Sequence, residues 1–420
     1  MKKLKTRKTS FERHAETDVR TEQAPQISRA FKTRLFILLI AVMLLSALRG
    51  LVFSIETDVR LGSPSKSVVN EFDPQIAWLA SYPNSGTTFT LDMVAGATKT
   101  AFATNYGTGD MIPVYPGHPE GPFLSKEANW PIPFGRYILT KTHCGGFCVF
   151  CPPDQYAYGY NIGWTAESGI SFLKDCASGV TVTGTAGSKL SQPDLKPVDY
   201  VPERVSRVIH LIRNPFHNAV SNFHHERNRD ENFEHWRKNY PDNYDGMKIF
   251  CEEQDNVYFD EEKEFFEGSF FFQNSEQSTE TVLKPAFNST FTNGKSWSEI
   301  VAKVPCRGIF FRYVQWHNLF HLALDYAPHK PQVLTVHYEN YQTSTFQDTA
   351  KSVLEFLELK PVPGREDGEV NWLEFHLPTD YDLYFTTEEK EYICAFLGTL
   401  ASPRVWGEIQ HYFDKINPTP

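Results

Sequence analysis

Long apolar runs are nearly absent from these 420 residues, which excludes a many-pass membrane protein. The exception is Leu35–Leu48, fourteen residues without a charge. Positive charge is scarce beyond the start of that run. Ten of the 41 Lys+Arg precede residue 35, against four acids, which leaves 31 basic and 47 acidic residues after it. A body with a net charge of −16 is a poor binder of nucleic acid, where phosphate neutralisation dominates affinity, so no nucleic-acid partner is expected. Cysteine is limited to seven residues, and no second ligand pair follows Cys144-x3-Cys148-x2-Cys151 at zinc-finger spacing. Disulfides are therefore the better reading of the cysteines, and no metal is expected. Hydrophobic residues at 41% still permit a large core, which excludes wholesale disorder.

The basic stretch ahead of the apolar run predicts a signal-anchor over residues 35–53, with Arg49 snorkelling to the interface. A buried core helix would carry a polar face, and this run is apolar all round. A cleaved signal peptide would have a shorter basic region and a small-residue exit. The expected organisation is a cytoplasmic tail over 1–34, the membrane helix, a stem over 54–73, and a lumenal domain over 74–420. An oxidising lumen suits the cysteines, and Asn288 in Asn288-Ser289-Thr290 would be a glycosylation acceptor there.

Within 74–420, short apolar runs alternate with helical patterns. Strands are expected over Gln75–Ser81, Tyr137–Lys141, Arg207–Ile212 and Gln332–His337. Helices are expected over Thr87–Ala97, after Pro215, and over Phe311–Ala327 and Thr345–Leu357. This alternation predicts an α/β fold with a central, mostly parallel sheet flanked by helices. The Pro/Gly-rich stretch 113–135 and the Gly/Ser/Thr-rich stretch 177–192 read as loops, and 228–300 reads as an acidic, Phe-rich insertion without a predictable shape.

Between the first strand and first helix stands Ser81-Tyr82-Pro83-Asn84-Ser85-Gly86-Thr87-Thr88-Phe89. Gly86 lets backbone N–H groups converge, and Ser85, Thr87 and Thr88 add hydroxyls at a helix N-terminus, which suits a phosphate. No lysine ends the turn, so it is not a Walker A loop. After the third strand comes Arg213-Asn214-Pro215, with Ser221 about two helical turns on, close enough to share an anion with the guanidinium. Two separate phosphate sites on one sheet edge would suit a nucleotide with 5′ and 3′ phosphates. Lys141-Thr142-His143 ends the second strand, and its i, i+2 spacing turns Lys141 and His143 to one face. An imidazole there can take the proton of an acceptor hydroxyl.

These segments resemble the sulfotransferase family. The first is similar to its Y-P-x-S-G-T-T-[WF] phosphosulfate loop, the second to its R-N-P…S motif for a 3′-phosphate, and Lys141-Thr142-His143 to its K-[ST]-H strand. Trp316 and Tyr338-Glu339-Asn340, the latter followed by a helix, resemble its late "YED" region. The resemblance covers about residues 73–360, patchily. It implies a P-loop-like fold and 3′-phosphoadenosine 5′-phosphosulfate as the sulfuryl donor. Carried over, Ser85, Gly86, Thr87 and Thr88 would hold the 5′-phosphosulfate, Phe89 would stack on adenine, and Arg213 and Ser221 would bind the 3′-phosphate. His143 would be the general base. The acceptor would be a hydroxyl, expected on a glycan, and the anchor points to a type II Golgi enzyme.

The sequence departs from the family in three places. Asn84 stands where many members have a lysine beside the donor's bridging oxygen, which leaves Lys141 as the expected cation. His217 stands where an acid is usual. No R-K-G loop appears in the C-terminal third, where Arg404 is the single candidate for a second clamp. Two alternatives stand beside this reading. A P-loop kinase would need a lysine and a magnesium-binding acid around the loop. A non-catalytic lumenal glycoprotein would keep the fold without the chemistry.

Overall fold

Six of the seven residues of Gln75–Ser81 are buried, and they alternate between two separate cores, so this strand must be covered on both faces. The computed structural model describes residues 74–414, apart from 109–111, 116–117, 119, 126–129, 145–165, 184–193, 229–239, 258–293, 343, 365–369, 371 and 376–379. The tail, membrane helix, stem and Asn288 of the sequence reading lie outside the described residues, as do Cys148 and Cys151. Among the described residues, no helix is long and apolar enough to cross a membrane.

In chain order the elements are β1 (Gln75–Ser81), α1 (Thr87–Thr98), β2 (Ala103–Thr104), β3 (Gly107–Thr108), β4 (Phe123–Leu124), β5 (Tyr137–Thr142), α2 (Ala166–Cys176), β6 (Ser178–Thr183), β7 (Asp194–Asp199), β8 (Val205–Ile212), α3 (Pro215–Arg227), α4 (Tyr244–Val257), α5 (Trp297–Lys303), α6 (Arg307–Tyr326), β9 (Gln332–His337), α7 (Phe346–Phe356), α8 (Thr387–Leu400) and α9 (Pro403–Ile409). The main sheet has the order β4-β2-β5-β1-β8-β9, parallel throughout except for β2 with β4. Ile76, Trp78 and Ala80 face a core shared with α3, α6 and α8. Ala77 and Leu79 face a second core closed by α1 and α7. The α/β expectation is borne out.

The chain crosses from β1 to β5 on one side and from β8 to β9 on the other, so the sheet reverses direction between β1 and β8. In open parallel sheets, ligands bind beyond the carboxyl ends of the strands at such a switch point. Register sets which residues meet there. Ala80 lies beside Thr142 and His210, and Ile212 beside His337.

Two expected loops contain strands. Phe123–Leu124 pairs antiparallel with β2, and Ser178–Thr183 pairs antiparallel with β7 and parallel with β3 in a second, three-stranded sheet. The sequence of β6, Ser-Gly-Val-Thr-Val-Thr, is rich in β-branched residues. Threonine favours strands as well as turns, and its β-branched character prevails here. Helix α6 starts a turn before Phe311, and the insertion 228–300 contains α4 and most of α5. Disulfides join Cys144 to Cys176 and Cys251 to Cys306. Cys144 therefore serves a bridge rather than a zinc cluster.

Candidate active site

The turn after β1 brings three expected elements together. Gly86 has φ +93°, and a Cβ there would stand 2.1 Å from the Tyr338 ring, so only glycine fits on both counts. No side chain caps α1, which leaves its first-turn N–H groups for an external acceptor. Ser85 and Thr87 point inward. The Ser85 hydroxyl accepts from Asn218 Nδ2 at 3.1 Å, and Thr87 Oγ1 shares a hydrogen bond with Ser81 Oγ at 2.7 Å. These two hydroxyls brace the turn, while Thr88 is exposed at its rim. Phe89 packs edge-on against Phe375 at 4.9 Å and tilts against Tyr341 at 5.1 Å, so its ring is part of an aromatic wall.

Arg213 follows β8 and is 5% exposed. Its Nη1 donates to the Asn84 carbonyl at 2.7 Å, and its guanidinium lies 4.7 Å over the Tyr338 ring. Among the described residues it forms no ion pair, and its buried Nε has no hydrogen-bond partner. A buried cation without a counter-charge is costly, and an anionic ligand removes the cost. Asn214 caps α3 by accepting from the N–H groups of Phe216 and His217, and its own N–H donates to Glu339. Ser221 lies half-buried on α3. His217 sits 3.5 Å from Glu339, and Tyr412 donates to the same carboxylate at 2.6 Å. Burial pushes the Glu339 carboxyl up, but the nearby His217 ring, the Tyr412 hydroxyl and the Asn214 N–H together hold it below its usual range.

His143 closes β5 at the same rim. Its Nδ1 lies 2.8 Å from the Ser81 carbonyl, which can only accept, so Nδ1 carries the proton and the lone pair is on Nε2. Trp316 donates to the His143 carbonyl at 2.7 Å, the His143 N–H donates to the Tyr106 hydroxyl, and the Tyr106 ring stacks on the imidazole. Burial, with the nearby Lys141 ammonium, lowers the His143 pKa to about 3, so the ring is neutral in ordinary buffers.

The sequence reading did not give roles to Tyr338, Glu339, Asn218, Trp316 or Tyr106. The first two follow β9 in the "YED"-like segment, which was the available signal. Arg404 pairs with Asp325 on the surface, and among the described residues it makes no ion pair or hydrogen bond with Arg213 or Ser221.

The sulfotransferase domain family matches residues 74–376, a span that holds the loop, Lys141, His143, Arg213, Ser221 and Tyr338. Among curated proteins and among solved structures, nothing matches. The matched span is well over half of the chain and contains every element of the rim. The chain belongs to the sulfotransferase domain family.

Proposed function

We propose that the body of this chain moves a sulfuryl group from 3′-phosphoadenosine 5′-phosphosulfate to a hydroxyl of a glycan. The observation that carries the reading is the buried Arg213 beside an uncapped helix N-terminus, a cation and an N–H cradle on adjacent strands. The residues suit the donor. The first-turn N–H groups of α1 would hold the 5′-phosphosulfate, and Arg213 with Ser221 would hold the 3′-phosphate. The donor supplies the activated sulfuryl group.

His143 Nε2 takes the acceptor proton as the new S–O bond forms. Its neutral state and its Nδ1–H anchor to Ser81 support that role. Lys141 supplies positive charge to the oxygen that leaves with the phosphate. We also assign the body to the Golgi lumen as a single-pass type II protein. The two disulfides support an oxidising compartment. The test incubates the purified chain with sulfur-labelled donor and a glycan panel. Label on a glycan is the expected result. Binding of the bisphosphate nucleotide without turnover on any acceptor would favour the non-catalytic reading.

A further inference from the structure

Three histidines of the hydrophobic interior, His210, His317 and His321, have no part in the chemistry above. They lie between β8 and α6, each at most 1% exposed. Against them, from α9, comes Glu408. Its Oε2 stands 2.8 Å from His321 Nε2 and 3.8 Å from His210 Nδ1. We propose that His210 Nδ1, His321 Nε2 and the Glu408 carboxylate bind a divalent transition-metal ion of the zinc type. The inference is independent of the sulfuryl-transfer reading.

The spacing carries the first part of the argument. The three ligand atoms all lie within 4.8 Å of one another. Tetrahedral zinc binds imidazole nitrogen and carboxylate oxygen at about 2.0–2.1 Å, which sets ligand-to-ligand separations near ~3.3 Å. The two separations from Glu408 bracket that value, and the two imidazole nitrogens lie within 4.8 Å of each other, so shifts of about an ångström would close the site.

An orphaned atom carries the second part. His210 Nδ1 is buried without a hydrogen-bond partner. His210 Nε2 lies 2.8 Å from His317 Nδ1, and one proton serves that bond. If His210 donates it, a bare lone pair on Nδ1 faces the Glu408 carboxylate, an arrangement that a bound cation relieves. If His317 donates instead, the proton on His210 Nδ1 points at an oxygen 3.8 Å away, beyond hydrogen-bond reach. With an ion bound, His210 ligates through Nδ1 and donates Nε2–H to His317. A ligating imidazole ordinarily uses its second ring N–H in an outer hydrogen bond, and His317 Nδ1 is the acceptor here.

Ligand chemistry selects the ion. Two imidazoles and one carboxylate suit zinc and its neighbours rather than magnesium or calcium, which prefer all-oxygen shells. The Glu408 side chain is 18% exposed, so ions can enter from that side and water can complete the shell. The ion would tie α9 to α6 and to β8 three residues before Arg213. Its role would be to fasten the C-terminal helix to the strand that presents the anion clamp.

The experiment uses the full chain, stripped with chelator and then equilibrated with zinc or cobalt(II). The expected result is one zinc ion per chain by elemental analysis after gel filtration, a higher Tm than the stripped protein, and cobalt(II) absorption of a four-coordinate site. Glu408→Gln and His321→Gln should each weaken zinc binding at least about tenfold and abolish the metal-dependent rise in Tm. The metal-free Tm of each variant, compared with stripped wild type, separates loss of a ligand from loss of the fold. Wild-type chain that holds no zinc after equilibration would overturn the proposal. So would wild-type affinity in a folded Glu408→Gln or His321→Gln variant.

Discussion

The Arg213 guanidinium donates to the main-chain carbonyl of Asn84 across 2.7 Å, so the residue that presents a cation at the end of β8 also pins the turn after β1. The two anion-binding elements expected from the sequence are thus a single mechanical unit. Asn218 reinforces it from α3 by donating to the Pro83 carbonyl and the Ser85 hydroxyl.

Arg213→Ala should therefore act on nucleotide binding in a selective way. A charge-assisted contact to the 3′-phosphate is worth about 1.5–3 kcal/mol, roughly ten- to a hundredfold in Kd. Calorimetry should show that loss for the 3′,5′-bisphosphate and little change for the analogue without the 3′-phosphate. Equal losses for both would reduce Arg213 to its bond with Asn84.

Gly86 offers a test of the turn itself. Alanine there must adopt φ +93° and must also displace the Tyr338 ring. The backbone strain alone costs on the order of 1–2 kcal/mol, and the ring displacement adds to it. Combining Gly86→Ala with Tyr338→Ala removes the steric part and leaves the backbone part. Urea denaturation of the four proteins should show a smaller penalty for Gly86→Ala in the Tyr338→Ala background. An identical penalty in both backgrounds would mean that the ring yields freely.

How much was legible beforehand depended on how local the signal was. Gln75–Ser81 and Gln332–His337 have the bounds expected from their apolar runs, because each is a short run ended by turn residues. The turn, Arg213 and His143 were visible because each combines a strand end with a chemically distinctive group. Asn218 was not, because what matters about it is a contact 133 residues away with Ser85, which no local pattern encodes. The second sheet was hidden by composition, since Gly, Ser and Thr serve turns and strands alike. His317 and His321 drew no notice in the sequence because no motif includes them. Their i, i+4 spacing on α6 sets both on one helix face, and that was the signal to follow.

The neutral His143 gives a pH dependence of stability. The folded ring titrates at about 3 and an unfolded histidine near 6.5, so between those values the unfolded chain binds the extra proton. The sign follows. This contribution to stability is fully present above 6.5, is lost as pH falls, and is gone below about 3. From pH 7.5 to pH 5 it amounts to about 2 kcal/mol. Denaturant midpoints at the two pH values should differ by that much more in wild type than in His143→Gln. Parallel pH dependence in the two proteins would show that the imidazole is protonated in the folded state.

The proposed type II topology has a direct test in sealed vesicles. Ten basic residues precede residue 35 and the acidic body follows, so external protease should clip only the N-terminal tail. Digestion of 74–420 without detergent would reverse the orientation.

Lys141 bears on the absence of a lysine at position 84. Asn84 has φ +64°, a region asparagine tolerates well, and its Nδ2 donates to Asn222 at 3.1 Å on α3. It would bring no charge to the leaving oxygen of the proposed donor. Burial lowers the His143 pKa, and the nearby Lys141 ammonium lowers it further. If that ammonium stabilises charge that develops during transfer, Lys141→Met should lower kcat far more than it weakens donor binding. It should also raise the His143 pKa, because the repulsion disappears. Asn84→Lys added to Lys141→Met should then restore part of kcat from the opposite side, less the backbone cost of lysine at a positive φ. Steady-state kinetics at saturating donor decide the matter. A kcat for Lys141→Met within about twofold of wild type, under roughly 0.5 kcal/mol, would leave Lys141 as a packing residue with a solvated amine.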